Sequence, residues 1–444
     1  MITARAFAGK HYAVYGLARS GLATVEALLA SGAKVTAWDG KEEARAQVPT
    51  GAELVDLDTA DLTEFDSLVV TPGLPLNRHP IAARAREAGV EIIGDIELFA
   101  RARAELPPHK VVGITGTNGK STTTALVHHI LQTAGVPSLM GGNIGLPILS
   151  QDPLPMGGVY VLELSSYQID LTKSLDCDVA VLLNITPDHL DRYDDFAGYA
   201  ASKARLFLDM QTARHLSILM PDDGQVSHLA AELDEYREWG LLDTHALSKL
   251  ARAQTSRFGL RPKLSPQLAW PALQGPHNLT NVAVAFEACR YLGVSMAKID
   301  LALRTYPGLP HRMERIRERD GVTFVNDSKA TNATATAPAL AAFPAIRWIC
   351  GGQAKADHLD ECAPFFKNVR EAYTIGEASE LFARILAPHI KVAECGDLAH
   401  AVLRAANDAQ PGETVLLSPA CASFDQFTDF EARGDAFRKL VGAL

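Results

Sequence analysis

The 444-residue chain is too long for one ordinary hydrophobic core, and its length predicts two to four domains. Hydrophobic residues make up 47% and charged residues 21%, the balance of a soluble globular enzyme rather than a disordered or fibrous protein. A formal net charge of -10 excludes a general nucleic-acid binder, which needs a basic excess, but leaves room for a local basic site that takes small anions.

In chain order, HYAVYG reads as a strand that runs into the glycine turn Gly16-Leu17-Ala18-Arg19-Ser20-Gly21. The helix pattern GLATVEALLASG follows, and then a second strand, KVTAW, ending at Asp39. A third strand, SLVVT, enters the turn Thr71 to Pro75. These elements predict a small α/β domain over residues 1–98. The charged, proline-broken stretch RARAELPPHK marks a boundary. The pattern then restarts with strand VVGIT, a glycine turn and the helix STTTALVHHILQTAG, capped by Gly135. Strands VYVLELS and DVAVLLNIT are near-continuous apolar runs of the kind buried in parallel sheets. A third restart after YPGLPHR brings strands VTFVNDS, IRWICGG, EAYTIG and ETVLLSPA, alternating with helical patterns. Three α/β domains are therefore expected, over 1–98, 99–308 and 309–444. The outer two are Rossmann-like, and the middle one resembles a P-loop ATPase with a mostly parallel sheet. No apolar run is long enough to span a bilayer, and the first residues lack a signal-peptide pattern. Six scattered cysteines without a CxxC pair fit reduced thiols, so a cytoplasmic protein is expected.

Gly116-Thr117-Asn118-Gly119-Lys120-Ser121-Thr122 lies between a strand and a helix. Glycines let backbone N–H groups turn toward phosphate, and the helix N-terminus adds partial positive charge. Lys120 can reach the β- and γ-phosphates, and the Ser121 hydroxyl can meet Mg²⁺. The strict G-x-x-x-x-G-K-[ST] pattern is not met, because Ile114 stands at the first glycine position. The bland reading is a glycine turn with a chance lysine. The turn at Gly16 lacks the middle glycine of the dinucleotide fingerprint, so a helix–sheet packing turn and a ligand site both stay open there. Asp39 occupies the strand end where dinucleotide folds place a ribose-binding acid.

Glu163 ends a predicted sheet strand, where an acid faces ligand and suits Mg²⁺, although a plain surface glutamate is the alternative. His189 follows the next strand and adds a potential ligand at the same edge. Lys203, in YAASKARLF, would face inward if the preceding segment begins a helix, although by itself a lysine there reads as a solvated helix residue.

Together these segments resemble the Mur ligase family. The resemblance rests on GLARSG at 16–21, GGNIG at 141–145, ELSSYQ at 163–168 and DHLDRY at 188–193. It continues through HNLTN at 277–281, LPHRME at 309–314, NDSKATN at 326–332, and SPACASFDQF at 418–427 with FEARG at 430–434. The last segment is similar to the D-glutamate-adding members. The resemblance spans essentially the whole chain in unbroken order and implies a cytoplasmic monomer of peptidoglycan precursor synthesis, tied to cell wall biogenesis and cell division. ATP would activate UDP-N-acetylmuramoyl-L-alanine as an acyl phosphate, which the D-glutamate amine then attacks. The first domain would hold the UDP part, the second ATP and the third the amino acid.

By resemblance, Ser121 and Glu163 serve one Mg²⁺, and His189 with a carbamylated Lys203 serves a second. Asn278, Asn281, Arg312, Asp327 and Lys329 match nucleotide contacts. Gly16 to Ser20, Asp39, Thr71, Gly73 and Asn143 match contacts to the UDP-linked substrate. Thr331, Lys355, Ser423, Phe424 and Phe430 match the D-glutamate site. Four positions depart from the pattern: Thr71 replaces serine, Phe424 a frequent leucine, and Gly40-Lys41 a Thr-Arg pair near the uracil.

Other readings make different demands. A diaminopimelate- or lysine-adding member would carry a DNPR-like segment, which the sequence lacks. A folate polyglutamate ligase would not carry SPACASFDQF and GLARSG. A P-loop switch or motor ATPase leaves the third domain unexplained, and a Rossmann oxidoreductase requires the missing middle glycine.

Overall fold

The computed structural model describes residues 1–189, 191–212, 214–220, 226, 229, 240–241 and 266–444; Leu190 of the DHLDRY segment lies outside the described residues. The first sheet orders its strands Glu53–Leu54, Lys34–Trp38, His11–Tyr15, Ser67–Val70 and Glu91–Ile93, all parallel. His11–Tyr15 pairs with Lys34–Trp38 on one side and with Ser67–Val70 on the other. The chain therefore leaves this strand at a topological switch point, where open α/β sheets form their ligand crevice.

The second sheet runs Gly240–Leu241, Leu216–Leu219, Val179–Leu182, His109–Thr115, Gly158–Glu163 and Ser138–Gly142, again parallel throughout. Gly158–Glu163 and Val179–Leu182 are buried along their whole length, as the continuous apolar runs require. Helix Lys120–Ala134 begins at Gly119 and stops at Gly135, both with left-handed backbones (φ 86° and 82°). At Gly135 this conformation lets the amide reach back to the Gln132 and Leu131 carbonyls.

These two sheets belong to one compact unit and the third sheet to another. Within the first unit, buried Glu97 accepts hydrogen bonds from the Lys173 and Ser174 amides at 2.7 and 2.9 Å. Glu91 pairs with Arg101 at 2.7 Å and with Lys173 at 2.9 Å. A carboxylate of helix Asp95–Ala102 thus caps the backbone that follows helix Ser166–Asp170.

The third sheet orders Glu314–Arg319, Val322–Asn326, Thr414–Leu417, Ile346–Gly351, Val369–Ile375 and Lys391–Gly396. Only the first of these is antiparallel. That strand, ERIRER, has no apolar run to announce it, and its charged residues sit at an exposed edge. No helix among the described residues is long and apolar enough to cross a membrane.

Candidate active site

Parallel pairing brings Ile114 and Gly142 level with Glu163. The glycine loop after Thr115 and the end of the Glu163 strand therefore share one sheet edge. Asn184, just beyond the neighbouring strand, holds the loop open. Its carbonyl accepts from the Thr117 amide at 2.9 Å, and its side-chain oxygen accepts from the Asn118 amide at 2.8 Å. The Thr117 hydroxyl shares a 3.1 Å hydrogen bond with the Tyr199 hydroxyl and accepts from the Thr186 amide at 3.0 Å. Gly116, at φ 146°, packs against Leu183 and Asn184, where a side chain would not fit. Ser121 and Thr122 lie in the first helical turn, Ser121 buried and Thr122 half-buried.

Lys120 curls back onto this loop, its Nζ donating to the Gly116 and Thr117 carbonyls, each at 2.8 Å. Lys203 reaches the same Gly116 carbonyl at 3.2 Å from helix Phe196–Leu208, with its ammonium nitrogen 4.5 Å from the Tyr199 ring centroid. Lys203 is 1% exposed, so the solvated-helix reading of this residue is overturned. The helical period turns it inward together with Tyr199 and Leu206. Burial, reinforced by the Lys120 charge, pushes the Lys203 amine down to about 7.

Glu163 is 2% exposed, which removes the surface-glutamate reading. Its Oε1 accepts from Asn143 Nδ2 at 2.8 Å, whereas Oε2 has no hydrogen-bond partner among the described residues. A buried carboxylate oxygen left open costs free energy unless something else satisfies it. His189 has a left-handed backbone (φ 54°), and its ring lies 4.9 Å from that of Tyr167. Burial lowers its pKa, aided by the Lys120 and Lys203 charges. No group of three or more His, Cys, Asp or Glu that could hold a metal occurs among the described residues.

In the first domain, Leu17 is buried, Ala18 caps helix Arg19–Ala30, and Arg19 is exposed. Asp39 accepts the Leu17 amide at 2.7 Å and the Lys41 amide at 2.9 Å. Its carboxylate thus closes the glycine turn from within. Thr71 packs so tightly on Gly16 that any Cβ there would strike its hydroxyl.

In the unit that holds the third sheet, Asn278 and Asn281 are buried on helix Pro276–Tyr291, joined by a 3.0 Å hydrogen bond. Arg312 is half-buried beside the strand Glu314–Arg319. Asp327 accepts from Ser418 Oγ at 2.8 Å and from the Met313 amide at 3.1 Å, and burial pushes its carboxyl up to about 7. Lys329 Nζ lies 3.8 Å from the Phe430 ring centroid. Lys355 Nζ donates to the Thr331 hydroxyl at 3.4 Å. Ser423 is buried, and Phe424 beside it is 69% exposed. Arg433, buried and unassigned from sequence, donates to Ser328 Oγ at 3.0 Å and to the Cys421 carbonyl at 3.0 Å. It thereby braces the NDSK and SPACASF segments against each other.

Family models match along nearly the whole chain. They are described as Mur ligase MurD-like, N-terminal domain (residues 10–94), Mur ligase middle domain (114–289) and Mur ligase, glutamate ligase domain (311–421). The chain belongs to the Mur ligase family. This Mur ligase is 60% identical to a UDP-N-acetylmuramoylalanine--D-glutamate ligase of Novosphingobium aromaticivorans, over 100% of the chain and 97% of that relative. It is 58% identical to the protein of the same name from Sphingopyxis alaskensis, over the full length of both. Among solved structures, the MurF ligase of Thermotoga maritima in complex with ADP matches with a TM-score of 0.57 at 17% identity, covering 99% of this chain and 97% of that one. At that identity the likeness bears on the fold alone.

Asn184, Thr186 and Tyr199 were not assigned from sequence. Asn184 carried a signal, since it ends the apolar run before the His189 segment. Thr186 and Tyr199 carried none, because their role depends on a contact with Thr117.

Proposed function

We propose that this Mur ligase joins D-glutamate to UDP-N-acetylmuramoyl-L-alanine, using ATP and passing through an acyl phosphate. Full-length similarity to relatives bearing that activity in their names carries the reading. The substrate carboxylate is a poor acyl donor, so it takes the γ-phosphoryl group of ATP. The D-glutamate amine then forms the new C–N bond as phosphate leaves. Lys120 swings from the Gly116 and Thr117 carbonyls to the phosphates, where negative charge concentrates.

The residues present suit Mg²⁺. The open Oε2 of Glu163 and the Ser121 hydroxyl are hard oxygen donors near the phosphate loop. Bound there, Mg²⁺ would neutralise phosphate charge. His189 and Lys203 would serve a second ion. An amine lowered to about 7 is available in substantial part at neutral pH as the neutral nucleophile that adds CO₂, releasing one proton and gaining a carboxylate. Thr331, Lys355, Ser423, Phe424 and Phe430 would receive D-glutamate, with Lys355 answering a carboxylate. Asp327, Lys329, Arg312, Asn278 and Asn281 would meet the nucleotide. Gly16 to Ser20, Asp39, Thr71, Gly73 and Asn143 would meet the UDP-linked substrate. The enzyme would act as a cytoplasmic monomer, with its three tasks divided over 1–98, 99–308 and 309–444.

The test measures phosphate release with ATP, Mg²⁺ and UDP-N-acetylmuramoyl-L-alanine, adding D-glutamate, L-glutamate, L-lysine or meso-diaminopimelate singly. Release only with D-glutamate, with a product heavier by one glutamyl unit, is the expected result. ATP hydrolysis indifferent to every amino acid would overturn the reading.

A further inference from the structure

Arg192 stands three residues after His189, in the segment that follows strand Val179–Leu182. Its guanidinium reaches back to the first domain. Nη2 donates to the Leu74 carbonyl at 2.7 Å and to the Pro72 carbonyl at 3.3 Å, while Nη1 donates to the Gly73 carbonyl at 3.1 Å. The guanidinium carbon lies 4.1 Å from the Tyr167 ring centroid, and the Tyr167 ring lies 4.9 Å from that of His189. Tyr167 sits in helix Ser166–Asp170, directly after the strand that ends in Glu163. One side chain therefore grips the turn after Thr71 and, through a single ring, touches the His189 ring.

The chemistry of the turn explains why an arginine is used. Pro72 and Pro75 have no amide hydrogen, so the turn is rich in acceptors and short of donors. A planar guanidinium with five N–H groups can answer three carbonyls and still stack on an aromatic face. Packing does not do this work alone, because a cavity of about 190 Å³ opens beside the contact, lined by Pro72, Leu74, Asn77, Tyr167, Arg192 and Tyr193 among others. Arg78 and Asn77 also donate to the Asp191 carbonyl, but these contacts and the 3.4 Å ion pair of Arg78 with Asp191 are exposed, where such pairs contribute little.

We propose that Arg192 is a positioning residue that fixes the turn Thr71–Leu74 against the His189 segment, so that the carboxylate of the nucleotide-linked substrate is presented in register with the phosphate loop. The proposal rests on the ligase reading above. Arg192 need not touch the substrate. It sets the separation of two surfaces that do.

Wild type, Arg192→Gln, Arg192→Lys and the control Arg78→Ala are compared for kcat, the KM of each substrate, affinity for UDP alone, and thermal unfolding. In Arg192→Gln, kcat should fall on the order of 10²-fold, the loss that a misplacement of about 1 Å produces. KM for ATP should stay within about twofold, because ATP does not depend on the gripped turn, whereas affinity for UDP alone should fall far less than kcat, because Arg192 acts on the turn and not on the ligand. Arg192→Lys should recover no more than about a tenth of the activity, since an ammonium can neither span three carbonyls nor stack as a plane. Arg78→Ala should stay near wild type.

A folded Arg192→Gln enzyme with kcat within about threefold of wild type would overturn the proposal. So would a loss that follows the melting temperature and raises KM for ATP in proportion. If Arg192→Gln does not fold, Arg192→Lys and Tyr167→Leu carry the same readouts. An inactive wild type would count against the ligase reading itself, whereas an active wild type with indifferent Arg192 variants sinks the positioning role alone.

Discussion

Two strand–glycine turn–helix units occur in this chain, one leading from His11–Tyr15 into Arg19–Ala30 and the other from His109–Thr115 into Lys120–Ala134. In the first, the Asp39 carboxylate takes the Leu17 amide, and Thr71 fills the space over Gly16. In the second, two lysines converge on the Gly116 carbonyl, and Glu163 keeps one buried oxygen open. The first turn is satisfied from within, whereas the second holds charge and an open ligand atom ready for something else. Equivalent topology thus yields a turn whose polar groups are met from within in one place, and a turn flanked by two lysines and an unsatisfied buried carboxylate oxygen in the other. The difference lies in which side chains the adjoining strand ends bring to the turn.

Substitutions at the reactive turn should separate the two most sharply. Lys120→Ala and Glu163→Gln are each expected to cut turnover by at least about 10³-fold, with melting temperatures near wild type. Near-normal kcat in either variant would break the contrast. Lys203→Ala should lose on the order of 10²-fold and recover partly in acetate, whose carboxylate can stand where a carbamate would. Full activity without acetate would make Lys203 a packing residue only.

Substitutions at the satisfied turn should act on stability as well. Asp39→Ala leaves the Leu17 and Lys41 amides without their acceptor and should cost about 1–3 kcal/mol, read by denaturant unfolding. A variant as stable as wild type would show that the turn does not need its internal cap. The smallest effect concerns Asp95, buried beside Ser20 and Thr71, whose carboxyl burial pushes up from 3.8 to about 6. The fold favours its protonated form, so this contribution is complete below about pH 4 and is lost as pH rises through about 6. Asp95→Asn should therefore gain stability relative to wild type between pH 4 and 7. A constant difference across that range would exclude the assignment.

Sequence alone determined the three-sheet α/β plan, the glycine turn at 116–122 between strand and helix, and the segments that mark the family. Continuous apolar strands, glycine turns and helix stops are local signals, and nine family segments in order leave little ambiguity. The edge strand Glu314–Arg319 was not legible, because its charged residues show no apolar alternation and pairing alone makes it a strand. For Lys203 the local context left both an inward-facing and a solvated helix residue open, for a similar reason. Burial is a property of what packs around a helix, and only the tertiary structure placed the Gly116 loop and Tyr199 against that amine. The same holds for Arg192, whose three carbonyl acceptors lie more than a hundred residues earlier in the chain. Sequence decides which chemical groups are present and the local conformations they favour. Long-range packing decides which of those groups are satisfied, and therefore which remain open to react.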